Sequence, residues 1–183
     1  MQRRKFLAAS AAAIPTLFFC QGFNFNEEKT KKGFVVKATQ SRFNETTKLN
    51  GRSPNDIKLS GKDTAGKLSL FEYTGNEKGG PPLHFHWKQD EIFFIVEGEY
   101  LFKVGDETHE LKTGDSIFLP KKVPHTFAQT TEQGRMLFMF QPSGKMEAFF
   151  RALASLKEPP TPEDRAKIFS DHDMKVVGPP LSY

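Results

Sequence analysis

Between Gly66 and Pro142 the chain runs in short apolar stretches punctuated by turn residues, and no helical period interrupts them. In Lys67–Tyr73, Leu68 and Leu70 share one face and Phe71 and Tyr73 the other, which predicts a strand because successive side chains alternate. Further strands are predicted over Glu91–Val96, Tyr100–Val104, Thr108–Leu111, Ser116–Leu119, His125–Gln129 and Arg135–Gln141. Glu97-Gly98, Gly105-Asp106 and Thr113-Gly114 close the first three of these. Strands at such regular spacing define an all-β sandwich or barrel, and a jelly roll is the natural architecture.

The flanks follow other rules. Alternation first appears at Ile57 and Leu59, so residues 57–142 form the predicted barrel. Residues 23–56 read as a polar segment in which Gly33-Phe34-Val35-Val36 is the one candidate edge strand. After the barrel, Met146, Phe149, Phe150, Leu153 and Leu156 fall on one helical face. Thr161-Pro162-Glu163-Asp164 supplies an N-cap, a proline at the first helical position and acids at the positive end of a second helix. Residues 143–183 are thus a C-terminal extension with two short helices, and Gly178-Pro179-Pro180 excludes helix from its end.

Residues 1–22 read as an export signal: Arg3-Arg4-Lys5-Phe6-Leu7 leads into an Ala-rich apolar run too short to span a bilayer. The Arg-Arg-x-Phe-Leu order resembles the twin-arginine signal, with cleavage expected after Gly22 and a periplasmic or extracellular destination. Removing this segment changes the charge. The loss of Arg3, Arg4 and Lys5, with no acid, takes the net charge from +4 to +1. The basicity is therefore a targeting feature and gives no argument for nucleic acid. Cys20, the only cysteine, leaves with the signal, so neither a disulfide nor a Cys-based site is available.

Candidate chemistry concentrates in Pro81–Gln129. His84 and His86, two residues apart on a strand, project to one face. A turn at Trp87–Asp90 would bring Glu91 beside them, and His125 follows further on. Three imidazoles and a carboxylate can hold one divalent transition metal with positions left open; iron, manganese, nickel, copper and zinc all accept such donors. His109 and His172 have polar neighbours and are expected to be exposed and inert.

These spacings resemble the two signature motifs of the cupin superfamily. His84, His86, Glu91 and Gly98 match the first, and Gly114, Pro120 and His125 the second. Lys122 stands where the family prefers Gly, at a cost of about 1 kcal/mol if the turn is left-handed. Gln129 replaces the family's usual Asn. From Gly66 to Leu181 the chain is similar to the quercetin 2,3-dioxygenase-like group, through Gly80–His86, Asp90–Phe93, Gly98-Glu99, Gly114-Asp115, Pro124–Phe127 and Gly178–Leu181. The resemblance implies a single cupin barrel, His84, His86, Glu91 and His125 as metal ligands, Glu91 as catalytic base, and a flavonol-like or other aromatic enol as substrate. A metal-bearing binding protein without turnover, or a cupin isomerase or decarboxylase, is the alternative.

Parity along the strands extends the site. With Glu91 and His125 inward, Phe93, Ile95, Phe127 and Gln129 face inward too, and Lys103 outward puts Tyr100, Phe102 and Val104 inside. Phe93, Tyr100, Phe102 and Phe127 are the expected substrate contacts, in a cavity suited to a flat apolar molecule; the alternative for each is plain barrel filling. A sugar or dicarboxylate would need cationic anchors, and Arg135 is the only arginine from Phe71 to Gln141. Finally, Ile92–Val96 is apolar on both parities, so both faces of that strand should be covered, by the C-terminal helices or by a second protomer. The resemblance favours a homodimer.

Overall fold

A computed structural model describes residues 29–49 and 53–183. The export signal, its cleavage point and Cys20 lie outside the described residues. Among the described residues, eleven strands make two antiparallel sheets facing each other across one core. The first sheet contains β1 (Thr46–Leu49), β2 (Ser53–Leu59), β3 (Ser69–Gly75), β5 (Asp90–Glu97), β8 (Ser116–Leu119) and β10 (Gly134–Gln141), in the order β1-β2-β3-β10-β5-β8. The second contains β4 (Pro82–His86), β6 (Glu99–Val104), β7 (Glu107–Lys112), β9 (His125–Gln129) and β11 (Met174–Pro180), in the order β11-β4-β9-β6-β7. Two helices, α1 (Met146–Ala154) and α2 (Pro162–Asp171), follow the last strand of the first sheet. This is a two-sheet jelly roll, as the alternation predicts.

Register explains the core. Phe138 on β10 lies opposite Phe71 on β3 and Phe93 on β5, all on the inner face. Their rings stack in a row, with centroids 5.2 and 5.3 Å apart. Phe150 of α1 closes onto Phe71 edge-on at 5.0 Å. Cross-strand aromatic pairs add about 0.5–1.5 kcal/mol beyond area burial, and truncating one such buried ring to Ala costs about 3–5 kcal/mol.

Where the structure departs from the sequence reading, the cause is local. Residues 33–36 form no strand; Phe34 instead lies under the Arg42 guanidinium, 3.9 Å from its ring centroid. The edge strand is β1, whose Thr47 and Leu49 face inward. The C-terminus carries an unexpected strand: β11 pairs with β4, with Met174 opposite His86 and Val176 opposite His84. Its prolines are tolerated because β11 is an edge strand, where a missing N–H breaks no ladder. Trp87–Asp90 does not make a hairpin. It carries the chain from the second sheet to the first, so Glu91 faces the histidines from the opposite wall.

The helices cover one end of the barrel. The buried Glu147 carboxylate accepts from the Gly61 N–H at 2.6 Å and the Ser60 hydroxyl at 2.9 Å, tying α1 to the turn after β2. Arg151 pairs with Glu45 at 2.9 Å. Thr161 caps α2 by accepting from the Asp164 N–H at 3.1 Å, with Pro162 at its start. Neither helix covers the outer face of β5. There Phe94 and Phe118 stay 44% and 55% exposed, and Phe118 lies opposite Ile92.

Candidate metal centre

Four side chains meet inside the barrel. His84 and His86 come from β4, His125 from β9 where it lies opposite His84, and Glu91 from β5 across the core. All four are buried, and their ligand atoms lie within 4.8 Å of one another. Two opposed nitrogens on one ion stand about 4.2 Å apart, twice a bond of about 2.1 Å, so small side-chain movements close the set around a metal.

The hydrogen bonds prepare the donors. His84 Nδ1 donates to the Pro82 carbonyl at 2.8 Å and His125 Nδ1 to the Val123 carbonyl at 2.9 Å. A carbonyl only accepts, so in both rings the proton sits on Nδ1 and the Nε2 lone pair points elsewhere. His86 Nε2 and His125 Nε2 are 3.5 and 3.3 Å from Glu91 Oε2. The geometry makes no hydrogen bond, and both nitrogens are buried without a partner. Buried unpaired lone pairs are costly, and a cation in the cluster satisfies the two that face Glu91. The donor set fits a divalent transition metal.

Electrostatics point the same way. Burial, reinforced by the neighbouring His125 and His86, holds the His84 pKa well below the ordinary 6.5. Burial also lowers His86, against the pull of Glu91. Burial works against the charge of Glu91, but His125 and His86 outweigh it and bring its pKa from 4.5 to about 2. The cluster at neutral pH is therefore a carboxylate with the His84 and His86 imidazoles kept neutral, which is the form a metal binds.

The sign of the pH dependence follows. Below about pH 6.5 the unfolded chain protonates its histidines while His84 and His86 in the fold resist, so stability present above that pH is lost as pH falls. Glu91 adds a second loss between its ordinary range and about 2. The melting temperature of the metal-free protein should thus hold between pH 8 and pH 7 and drop on acidification from there to pH 4. A rise over that range would contradict the assignment.

The cluster opens into a cavity of about 430 Å³. Phe93 and Phe127 line it, as expected, with Phe140, Phe149, Phe169 and Met174. Tyr100 and Phe102 do not reach it. They are fully buried behind Phe127 and Phe93, with Phe102 5.5 and 5.1 Å from those rings. Tyr100 donates to Gln129 Oε1 at 3.3 Å. Parity placed both residues inside correctly, but depth along the barrel axis decides which inward residues meet the cavity. His109 and His172 stand outside the cluster, each half-buried; His172 Nδ1 donates to the Ile168 carbonyl at 2.7 Å, so this ring is less exposed than its polar neighbours imply. Lys122 has φ +66°, the left-handed turn that the family's Gly would serve.

Sequence reasoning missed the contribution of the helices. Phe169 of α2 packs edge-on against His84 at 5.2 Å and against Phe149 of α1 at 4.9 Å. Lys157, Glu158 and Arg165, from the linker and the first turn of α2, complete the rim. The helical period at 146–156 showed a buried face without showing what it covers.

Fold and site together define a jelly roll with a buried three-histidine, one-glutamate cluster. Residues 70–140 match the family model described as Cupin domain. Among curated proteins, Uncharacterized protein MJ1618 of Methanocaldococcus jannaschii is 44% identical over 43 residues, 24% of this chain and 34% of that protein. The chain thus spans about a third of that relative's length. A structure of a predicted oxalate decarboxylase from Thermotoga maritima superposes with TM-score 0.54 at 18% identity, over 60% of this chain and 99% of the other. An RmlC-like cupin from Shewanella frigidimarina superposes with TM-score 0.51 at 20% identity, over 63% and 95%. At these identities the two structures show the fold alone.

Proposed function

We propose that this protein is an exported, metal-dependent dioxygenase acting on a flavonol-like or other aromatic enol, with one divalent metal per barrel. The observation that carries the reading is the Glu91 carboxylate, anionic and buried beside three imidazoles at the inner end of an aromatic cavity. A divalent transition metal, when bound there, supplies Lewis acidity and open positions for an oxygen donor. His84, His86, His125 and Glu91 would hold it.

The chain's own residues account for the rest. Glu91 Oε2, reaching toward the centre of the cluster, takes the proton from the enol hydroxyl as the general base. Phe93, Phe127 and Phe140 confine a flat body, and edge-to-face contact with such rings orients it without demanding polar partners. The same apolar walls exclude water from the deprotonated substrate.

Anaerobic mixing with 3-hydroxyflavone tests the reading without turnover. The bound flavonol should show the enolate absorbance at a pH where the free compound is protonated. A bound flavonol that keeps its neutral spectrum would overturn the proton-transfer role.

Two further parts of the proposal concern the cell. No described helix is long and apolar enough to cross a membrane. We assign export to the Arg3-Arg4 signal, so changing both to Lys should leave the precursor inside the cell; unaltered export would point to the general secretory route. The uncovered Phe94–Phe118 face is assigned to a second copy of the chain. Sedimentation should return the mass of a dimer, and a single-protomer mass would remove that partner.

A further inference from the structure

The cavity does not end at the aromatic walls. Its outer rim carries two cations and one carboxylate, Lys157, Arg165 and Glu158, and these leave the entrance with one net positive charge. The barrel contributes no cation to the lining. Arg135, its one arginine, is turned away to Glu72 at 3.7 Å. A shortage of barrel arginines therefore does not exclude an acidic substrate, because the helices bring the positive charge from outside the barrel.

Arg165 has the features of an anchor. Of the four arginines among the described residues, Arg42 pairs with Asp63, Arg135 with Glu72 and Arg151 with Glu45. Arg165 has no carboxylate partner and no side-chain hydrogen bond among the described residues, although it is half-buried. A guanidinium fork held partly out of water without an acceptor is matched to a bidentate anion such as a carboxylate or a phosphate, and of these the planar monoanionic carboxylate suits the single net positive charge of the rim.

Position relates this cation to the metal ligands. Arg165 lies four residues before Phe169 on α2, about one helical turn or ~6 Å along the axis and on the same face. Phe169 in turn touches the His84 ring. Passing outward from the ligands, the cavity is thus polar and metal-binding, then apolar and aromatic, then cationic.

We infer that the site takes a monoanionic aromatic substrate whose carboxylate sits at Arg165 and Lys157 while its far end reaches the metal ligands. The inference rests on the reading of this cavity as the substrate site, and it narrows the aromatic enol to one that bears an acidic group on the side remote from its reacting oxygen. One anionic group suffices, since Glu158 offsets one of the two cations and disfavours a dicarboxylate.

The test uses the mature, metal-loaded protein and a matched pair of probes, biphenyl-4-carboxylate and biphenyl-4-carboxamide, titrated calorimetrically. The carboxylate should bind about tenfold tighter than the amide, as one charge-assisted contact at a half-exposed site provides. That preference should shrink in high KCl, because the rim is within reach of screening ions. In the Arg165→Gln, Lys157→Gln double variant the preference should vanish while the amide affinity stays unchanged. Neither side chain has a partner among the described residues to lose, and Arg165→Lys should restore part of the effect.

Equal binding of the two probes by wild type would overturn the inference. So would a preference that survives in the double variant, which would place the carboxylate on the metal instead. Failure of both probes to bind would remove the cavity as a substrate site and the inference with it. The flavonol experiment is scored separately. A protein that selects the carboxylate yet leaves bound 3-hydroxyflavone protonated would lose the dioxygenase reading and keep the cationic rim.

Discussion

Glu91→Gln should keep a fraction of its metal and lose most of its turnover, with oxygen uptake per bound metal falling on the order of 10²-fold or more. Glutamine preserves the size of the side chain and one oxygen donor, so the space among His84, His86 and His125 is still filled. It cannot accept the substrate's proton at neutral pH. The wild-type carboxylate is available to a ligand or a proton, because the imidazoles that bring its pKa down to about 2 keep it deprotonated until one arrives. Normalising to bound metal separates the two roles. Equal rates per metal in the variant and wild type would leave Glu91 as a ligand only.

Removing an imidazole is expected to have the other large effect. His84→Ala and His125→Ala should each abolish stoichiometric metal binding, read by elemental analysis after exhaustive dialysis. Each ring is oriented by its own Nδ1 bond to a backbone carbonyl two residues away, Pro82 or Val123, so neither can be replaced by a neighbour swinging in. Each substitution also opens a space beside three remaining buried polar groups that lose their shared partner. Full occupancy in either variant would mean that the ion is held elsewhere.

Much of this site was legible because strand parity is rigid. Once Glu91 and His125 face inward, Phe93, Ile95 and Phe127 have no freedom to do otherwise, and all are buried. Parity does not specify the sheet. Glu91 follows His86 by five residues yet belongs to the opposite wall, and only the crossing at Trp87–Asp90 reveals it. Nor does parity specify depth, which is why Tyr100 and Phe102 fill the barrel behind the cavity instead of lining it. β11 was hidden by its own composition: Gly178-Pro179-Pro180 reads as a terminator, and only its edge position beside β4 makes a strand acceptable there.

The helices illustrate a different limit. Their existence, and the Thr161 cap, followed from period and capping chemistry. Their target did not. An amphipathic face announces burial without naming the surface it buries against, so Phe169 at His84 and Arg165 at the rim emerge only when α2 is seen folded back over the barrel mouth.

The central claim is that the buried cluster holds a metal in order to oxidise an aromatic enol. It is tested most directly by oxygen consumption with a panel of flavonols, using protein purified from its native compartment with its metal counted per barrel. The account predicts one divalent ion per barrel and oxygen uptake in proportion to occupancy, abolished by a chelator and restored by the same metal. One ion per barrel with no oxygen uptake from any member of the panel would contradict it and identify a metal-bearing binding protein instead.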